Sequence, residues 1–387
     1  MKIALLSYST KPRGGVVHTL ALAEALAALG EDVTVWSLGR GGDQGFFRPV
    51  DPSVQLRVVP FPDGSSDEGV GPRILRSIAV LRRAFESASA EYDIVHAQDC
   101  ISANAAMPSG PCIRTVHHID HFTTPELAAC HERAIVEPYA HLCVSRAVAD
   151  ELAHGWGIKA EVIPNGVAYD RFAATDPAAR AARRAKHGRY ILTVGGIEPR
   201  KGSLDLLEAY ALLRAARPDV SLVIGGGETL FDYRDYRAAW EARARELSVH
   251  PIVLGPVPDD ELPALVAGAD AFAFPSTKEG FGLAAMEALA AGTPLVVRDL
   301  PVLREVFADA ARFAATVDDF AAELHDALAV EDPTKRDAGR ILAARHTWTA
   351  AAHRHLDFYR TLADGVGRGS PRYARPADPR SALPTLE

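Results

Sequence analysis

An α/β protein made of two tandem, Rossmann-like, doubly wound parallel sheets is the fold class this sequence predicts. Three observations lead there. Short apolar runs alternate with stretches of helical periodicity along nearly the whole chain, as they do when crossover helices cover both faces of a parallel sheet. The alternation comes in two series, separated by an Ala- and Arg-rich stretch at 173–187. The length, 387 residues, suits two domains at roughly 100–200 residues each.

In the first series the runs 3–7, 33–38, 55–61, 93–97, 114–118 and 141–145 read as strands. Helical periodicity fills 16–29, stopping at Gly30, and returns near 73–88. The second series reads as strands at 190–194, 221–224, 251–254, 271–274 and 294–297, with helices near 204–215, 233–247, 260–267 and 283–291. The stretch 173–187, a loop or a short surface helix, is taken as the linker. Residues 347–360 make an amphipathic helix with Trp348, Ala352, Leu356 and Tyr359 on one face. The expected division is residues 1–172 with about 348–363 as one domain and 188–347 as the other, with a cleft facing the strand C-termini. The tail 364–387 has little to bury and is expected to be disordered.

Composition narrows the function. Charged residues are 24% and hydrophobic residues 48%, with a net charge of −8. That balance argues against a nucleic-acid partner, which favours a basic face. No apolar run approaches the ~20 residues of a membrane span, and residues 1–7 run straight into a strand rather than a signal-peptide core. A cytoplasmic location is expected. Cys100, Cys112, Cys130 and Cys143 have no metal or disulfide spacing and read as free thiols.

The stretch from Glu279 to Glu287 is the most informative. Two carboxylates eight positions apart bracket a glycine loop and the start of a helix, after an apolar strand. Amides at that helix start favour an anion, and the carboxylates accept from hydroxyls, so the pair suits a sugar linked through a diphosphate. The loop 195–202 follows a strand of the same sheet and brings adjacent Arg200 and Lys201, fixed cations for a departing diphosphate or else a solvated basic turn. Gly14 and Gly15, after the first strand, bring backbone close to a ligand or simply make a tight turn. His117, His118, Asp120 and His121 cluster after another strand. Neighbours on a strand point to opposite faces, which disfavours a shared metal, and a structural histidine is the plainer reading. His96 reads as structural. The run Gly225-Gly226-Gly227 before Glu228 is left as either nucleotide contact or turn.

The E-x7-E pattern after a strand resembles the retaining glycosyltransferases of the GT-B fold in glycosyltransferase family 4 (group 1), and actinobacterial members in particular. The resemblance spans nearly the whole chain and implies a hexosyltransferase. It places Glu279 on the hydroxyls of the transferred sugar and Glu287 on the nucleotide ribose. Backbone amides of Gly280, Phe281, Gly282 and Leu283 meet sugar and phosphate, Gly255 and Val257 grip the nucleobase, and His117 orients the sugar. Gly14 and Gly15 line the cleft near donor phosphates and acceptor, and the last helix crosses back onto the first domain. Two departures stand out. Gly196 occupies the family's usual Arg position, leaving Arg200 as the replacement, and the segment 298–305 lacks the family's glycine pair while keeping Glu305.

The resemblance implies transfer from a nucleotide-diphosphate sugar (UDP or GDP) to a hydroxyl acceptor, with retained configuration. No D-x-D triplet is present, and no metal or other cofactor is expected. Closure of the cleft would exclude water. Acceptors of three kinds fit: a small molecule, a glycan or a lipid-linked group. Weak peripheral membrane contact through the first domain and the oligomeric state are left open. Competing readings are a GT-B-like sugar-nucleotide epimerase or phosphorylase, a non-catalytic nucleotide-sugar-binding protein, and an NAD-linked enzyme, which would need a G-x-G-x-x-G the chain lacks.

Overall fold

The computed structural model describes residues 1–64, 68–226 and 233–366. The chain divides into two compact units, Met1–Gly166 together with the segment from Trp348, and Val167–Thr347.

The first unit has strands β1 (Lys2–Leu6), β2 (Asp32–Arg40), β3 (Gln55–Phe61), β4 (Ile94–Ala97), β5 (Ile113–Val116), β6 (Ala140–Cys143) and β7 (Glu161–Val162). They form one sheet in the order β3-β2-β1-β4-β5-β6-β7, parallel throughout. Alternation along β1 explains the double covering. Ile3 and Leu5 join a core with Leu20, Ala23 and Leu26 of the helix Gly14–Ala28 and with Ala352, Leu356 and Tyr359 of the helix Trp348–Val366. Ala4 and Leu6 point the other way, onto Phe85 and Ala103. The amphipathic helix read at 347–360 thus packs on the first unit.

The second unit has β8 (Arg189–Val194), β9 (Val220–Gly225), β10 (Ile252–Gly255), β11 (Ala271–Phe274), β12 (Leu295–Arg298) and β13 (Arg312–Ala314), ordered β10-β9-β8-β11-β12-β13 and again parallel. Residues 173–187, read above as a linker, belong to this unit: Pro177–His187 is a helix capped by Asp176, whose carboxylate accepts from the Ala178 amide at 3.1 Å. Arg183 pairs with Glu261 at 2.5 Å and Arg184 with Asp270, holding the helix to its own sheet. β7 and β13 are too short to leave a periodic signal in the sequence, and neither is anticipated there. The expected tail beyond 366 and Gly227 with Glu228 lie outside the described residues.

In both sheets the winding reverses once, between β1 and β4 and between β8 and β11. At such a switch point the loops leaving adjacent strands diverge and open a crevice at the carboxyl ends. Among the described residues no helix is long and apolar enough to cross a membrane.

Candidate functional site

The loops after β8 and β11 flank the switch point of the second unit, and they are tied together. The Thr277 amide donates to the Arg200 carbonyl at 2.8 Å. Gly202 has φ +62, and a Cβ there would lie 2.2 Å from the Pro275 carbonyl oxygen, so the approach of the two loops requires glycine. Their side chains meet as well. Lys201 Nζ donates to Glu279 Oε1 at 2.5 Å, and Arg200 Nη1 donates to the same oxygen at 3.2 Å and to the Lys278 carbonyl at 3.1 Å. Arg200 also faces Glu198 at 3.6 Å. The Glu279 side chain is 11% exposed and that of Lys201 20%, so the pair is largely shielded from water. The cations expected on phosphate and the carboxylate expected on sugar are therefore in contact with one another. Gly196 leaves its loop without a side chain, and two guanidinium groups reach this corner, Arg200 and Arg298, the latter donating to the Pro275 carbonyl at 2.8 Å.

Beside them Ser276 is 1% exposed, with a hydroxyl that has no hydrogen-bond partner. It lines a small cavity with Thr193, Gly195, Gly196, Lys201 and Ser203. The helix Leu283–Ala291 begins at the same corner with no side-chain cap, leaving first-turn amides open. Its N-cap, Gly282, has φ +93 and sits 3.1–3.3 Å from the Phe307 and Phe274 rings at the Cβ position, which bars a side chain. Phe281 is 3% exposed and packs by its ring near His346, so only its backbone faces the loop surface.

Glu287 lies one turn further along that helix and is half-buried. Burial pushes its carboxyl up to about 8, opposed by Arg171 and reinforced by Asp259. Arg171 is itself held by Asp259 at 2.8 Å. Asp259 closes the segment that leaves β10 through Gly255 and Val257, and the Gly226 amide donates to the Gly255 carbonyl at 2.8 Å. The segment with Gly255 and Val257 thus leads to the charge pair beside Glu287.

On the first unit, loops after β1, β4 and β5 supply a second group. His117 Nε2 lies 3.2 Å from Gln98 Oε1, and a Cβ on Gly15 would touch its ring at 3.8 Å. Gly14 faces open space. His18 packs edge-on against His117, ring centroids 4.8 Å apart, and its Nδ1 bonds Asn165 Oδ1 at 2.9 Å. Burial and the neighbouring cationic groups hold His117 well below the usual imidazole range, and burial holds His18 at about 3, so both rings are neutral at pH 7. His96 is structural: its two nitrogens bond the Tyr359 and Thr115 hydroxyls at 2.7 and 2.6 Å. His118 pairs with Asp120 at 2.8 Å. Among the described residues no three His, Cys, Asp or Glu side chains converge as a metal site requires. Cys100, Cys112, Cys130 and Cys143 are free thiols. Sequence reading missed Gln98, His18, Asn165 and Ser276; the one available signal was that Gln98 directly follows a strand.

Comparison with known proteins supports one assignment. The description "Glycosyltransferase Family 4" matches residues 12–171 and "Glycosyl transferases group 1" matches residues 176–340. The chain is 30% identical to a phosphatidyl-myo-inositol mannosyltransferase of Mycobacterium tuberculosis over 94% of this chain and 97% of that protein. It is 29% identical to a D-inositol 3-phosphate glycosyltransferase of Pseudarthrobacter chlorophenolicus over 94% and 96%. Among solved structures, a sucrose-phosphate synthase from Thermosynechococcus elongatus superposes with TM-score 0.76 at 19% identity, covering 94% of this chain and 99% of that one. The Anabaena protein HepE in complex with UDP-glucose does so with TM-score 0.73 at 20% identity, covering 94% and 100%. The last two support the GT-B fold alone. With both halves matched in order and a relative aligned end to end, the chain belongs to the group 1 glycosyltransferases of family 4 and is a sugar-transferring enzyme.

Proposed function

We propose that the protein transfers a hexose from a nucleotide-diphosphate sugar to an acceptor hydroxyl, with retained anomeric configuration and without a metal ion. The observation that carries this reading is the convergence of Lys201, Arg200 and Glu279 at the second unit's switch point, against an uncapped helix start. The diphosphate takes the cavity lined by Ser276, Ser203 and the Gly195–Gly196 backbone. Lys201 and Arg200 then exchange part of their contact with Glu279 for phosphate oxygens. That frees a carboxylate oxygen of Glu279 for a sugar hydroxyl.

Negative charge grows on the leaving phosphate oxygen as the glycosidic bond breaks. Two cations already held in place stabilise it without reorganising. The same oxygen accepts the proton of the incoming hydroxyl, which joins the sugar on the face the phosphate leaves. Glu287 and the Gly255–Val257 segment take the nucleoside end, and neutral His117 hydrogen-bonds a sugar hydroxyl. The named relatives act on a phosphatidylinositol and on an inositol phosphate, which keeps both lipid-linked and soluble acceptors in view. UDP- and GDP-sugars are both candidate donors.

A thermal-shift screen of UDP- and GDP-sugars tests the donor: at a hundred times its dissociation constant the true donor adds ~2.7 kcal/mol of stability. NMR of the product gives the anomeric configuration, and turnover in EDTA gives the metal requirement. An inverted product refutes retention. Activity lost to EDTA and restored by a divalent ion refutes metal independence.

A further inference from the structure

The cysteines take no part in the chemistry above, and the fold sets two of them side by side. Cys100 opens the helix Cys100–Ala106 and is half-buried, while Cys130 lies in the helix Pro125–Val136 and is 4% exposed. One side-chain amide holds both main chains: Asn104 Nδ2 donates to the Cys100 carbonyl at 2.8 Å and to the Cys130 carbonyl at 2.8 Å. The same nitrogen lies 3.5 Å from Cys130 Sγ. The Cys100 sulfur is in turn in hydrogen-bonding contact with the Cys130 thiol and the His131 side chain.

These surroundings give the two sulfurs different tasks. The hydrogen bond from Cys130 draws the Cys100 thiol down from its ordinary value, against the effect of burial, and His131 and the Arg114 guanidinium act in the same direction. Cys130 is pushed up by that hydrogen bond and by burial, so it keeps its proton while Cys100 gives its own up. The thiolate is the nucleophile in thiol oxidation, and a thiolate within reach of solvent with a second thiol against it is arranged for reversible oxidation. Cys112 and Cys143 are not so placed: burial pushes both up to about 12.

The pair is also linked to the first unit's ligand-facing loops. Asp99, next to Cys100, accepts from the Tyr8 amide at 2.9 Å and the Ser102 amide at 2.8 Å. Gln98, one residue further, faces His117 Nε2 at 3.2 Å. A disulfide brings its sulfurs to about 2 Å, closer than any hydrogen bond. Closing one here pulls residue 100 toward the helix Pro125–Val136, and residues 98 and 99 with it.

We propose that Cys100 and Cys130 form an oxidation site for hydroperoxides, closing reversibly to a disulfide that draws Gln98 away from His117 and slows sugar transfer. With hydrogen peroxide, the Cys100 thiolate attacks one oxygen, the O–O bond breaks, and the departing oxygen takes a proton and leaves as water. Cys100 is then a sulfenic acid. The Cys130 sulfur attacks the Cys100 sulfur, its proton goes to the departing hydroxide, and a second water leaves. The two thiols together lose two electrons and the peroxide gains them. The slowing of transfer rests on the transferase reading; the disulfide itself does not.

Peptide mass spectrometry of the full chain, reduced and then treated with a slight excess of hydrogen peroxide, tests the site. A link between Cys100 and Cys130 that dithiothreitol reverses is expected, with Cys112 and Cys143 still open to alkylation after unfolding. In Cys130→Ser no link forms and dimedone labels Cys100 as its sulfenic acid. Oxidised wild type is expected to lose about tenfold in kcat with the donor KM unmoved, and to recover it with dithiothreitol. In Gln98→Leu, which has no such contact to lose, oxidation costs nothing further. The mapping needs no turnover, so it stands apart from any failure of the transferase reading, and it decides alone if Cys130→Ser does not fold. The proposal is overturned if peroxide leaves Cys100 and Cys130 reduced or links a different pair. It is overturned equally if the disulfide leaves turnover unchanged, or slows Gln98→Leu as much as wild type.

Discussion

Replacing Glu287 with Gln should change how stability depends on pH. The usual carboxyl value for this side chain is 4.5, and in the folded protein it is pushed up to about 8. Between those values the unfolded chain has lost the proton and the folded chain retains it. Folding stability therefore falls as pH rises from about 4.5 to about 8, and levels off above. The full interval corresponds to a ceiling of about 5 kcal/mol. Solvent reaches the half-buried side chain, and about half of that, ~2 kcal/mol, is the working expectation. A glutamine of the same shape carries no charge to bury. Glu287→Gln should match wild type near pH 5 and exceed it near pH 8 by about 4–8 °C in the midpoint of the second unit. Scanning calorimetry from pH 5 to 8.5 gives the two curves. Parallel curves would show that the carboxyl ionises freely in the fold and would refute the reasoning.

Lys201→Ala should lower turnover about 10²–10³-fold in a steady-state transfer assay, because one fixed cation is lost where charge develops; unchanged turnover would remove Lys201 from the mechanism. Gln98→Leu takes away the acceptor facing His117 Nε2 and should cost about tenfold in kcat with the donor KM unmoved. Equal loss in both would mean that Gln98 merely supports the fold. Gly202→Ala meets the Pro275 carbonyl at 2.2 Å with φ +62 and should destabilise by at least ~2 kcal/mol in denaturant titration, whereas a neutral result would mean that the loops separate easily.

Short-range geometry was legible in the chain itself. A strand's alternation, a helix's periodicity and an eight-residue interval between Glu279 and Glu287 are properties of neighbouring backbone, and they survive translation into structure with small shifts at element ends. β7 and β13 escaped because two or three residues carry no period. The stretch 173–187 was misassigned as a linker because Ala and Arg suit an exposed helix and a loop alike, and only Asp176 and the ion pairs to Glu261 and Asp270 attach it to a sheet.

What the tertiary structure alone decided is which distant residues share a charge or a proton. Lys201 and Glu279 are 78 positions apart and meet because β8 and β11 are neighbours in the sheet. Nothing in linear spacing encodes that order. The upward shift of the Glu287 carboxyl comes from desolvation, a property of everything packed around it. Local sequence sets which shapes a segment adopts, while solvent exclusion and electrostatics act across space and depend on the assembled sheet.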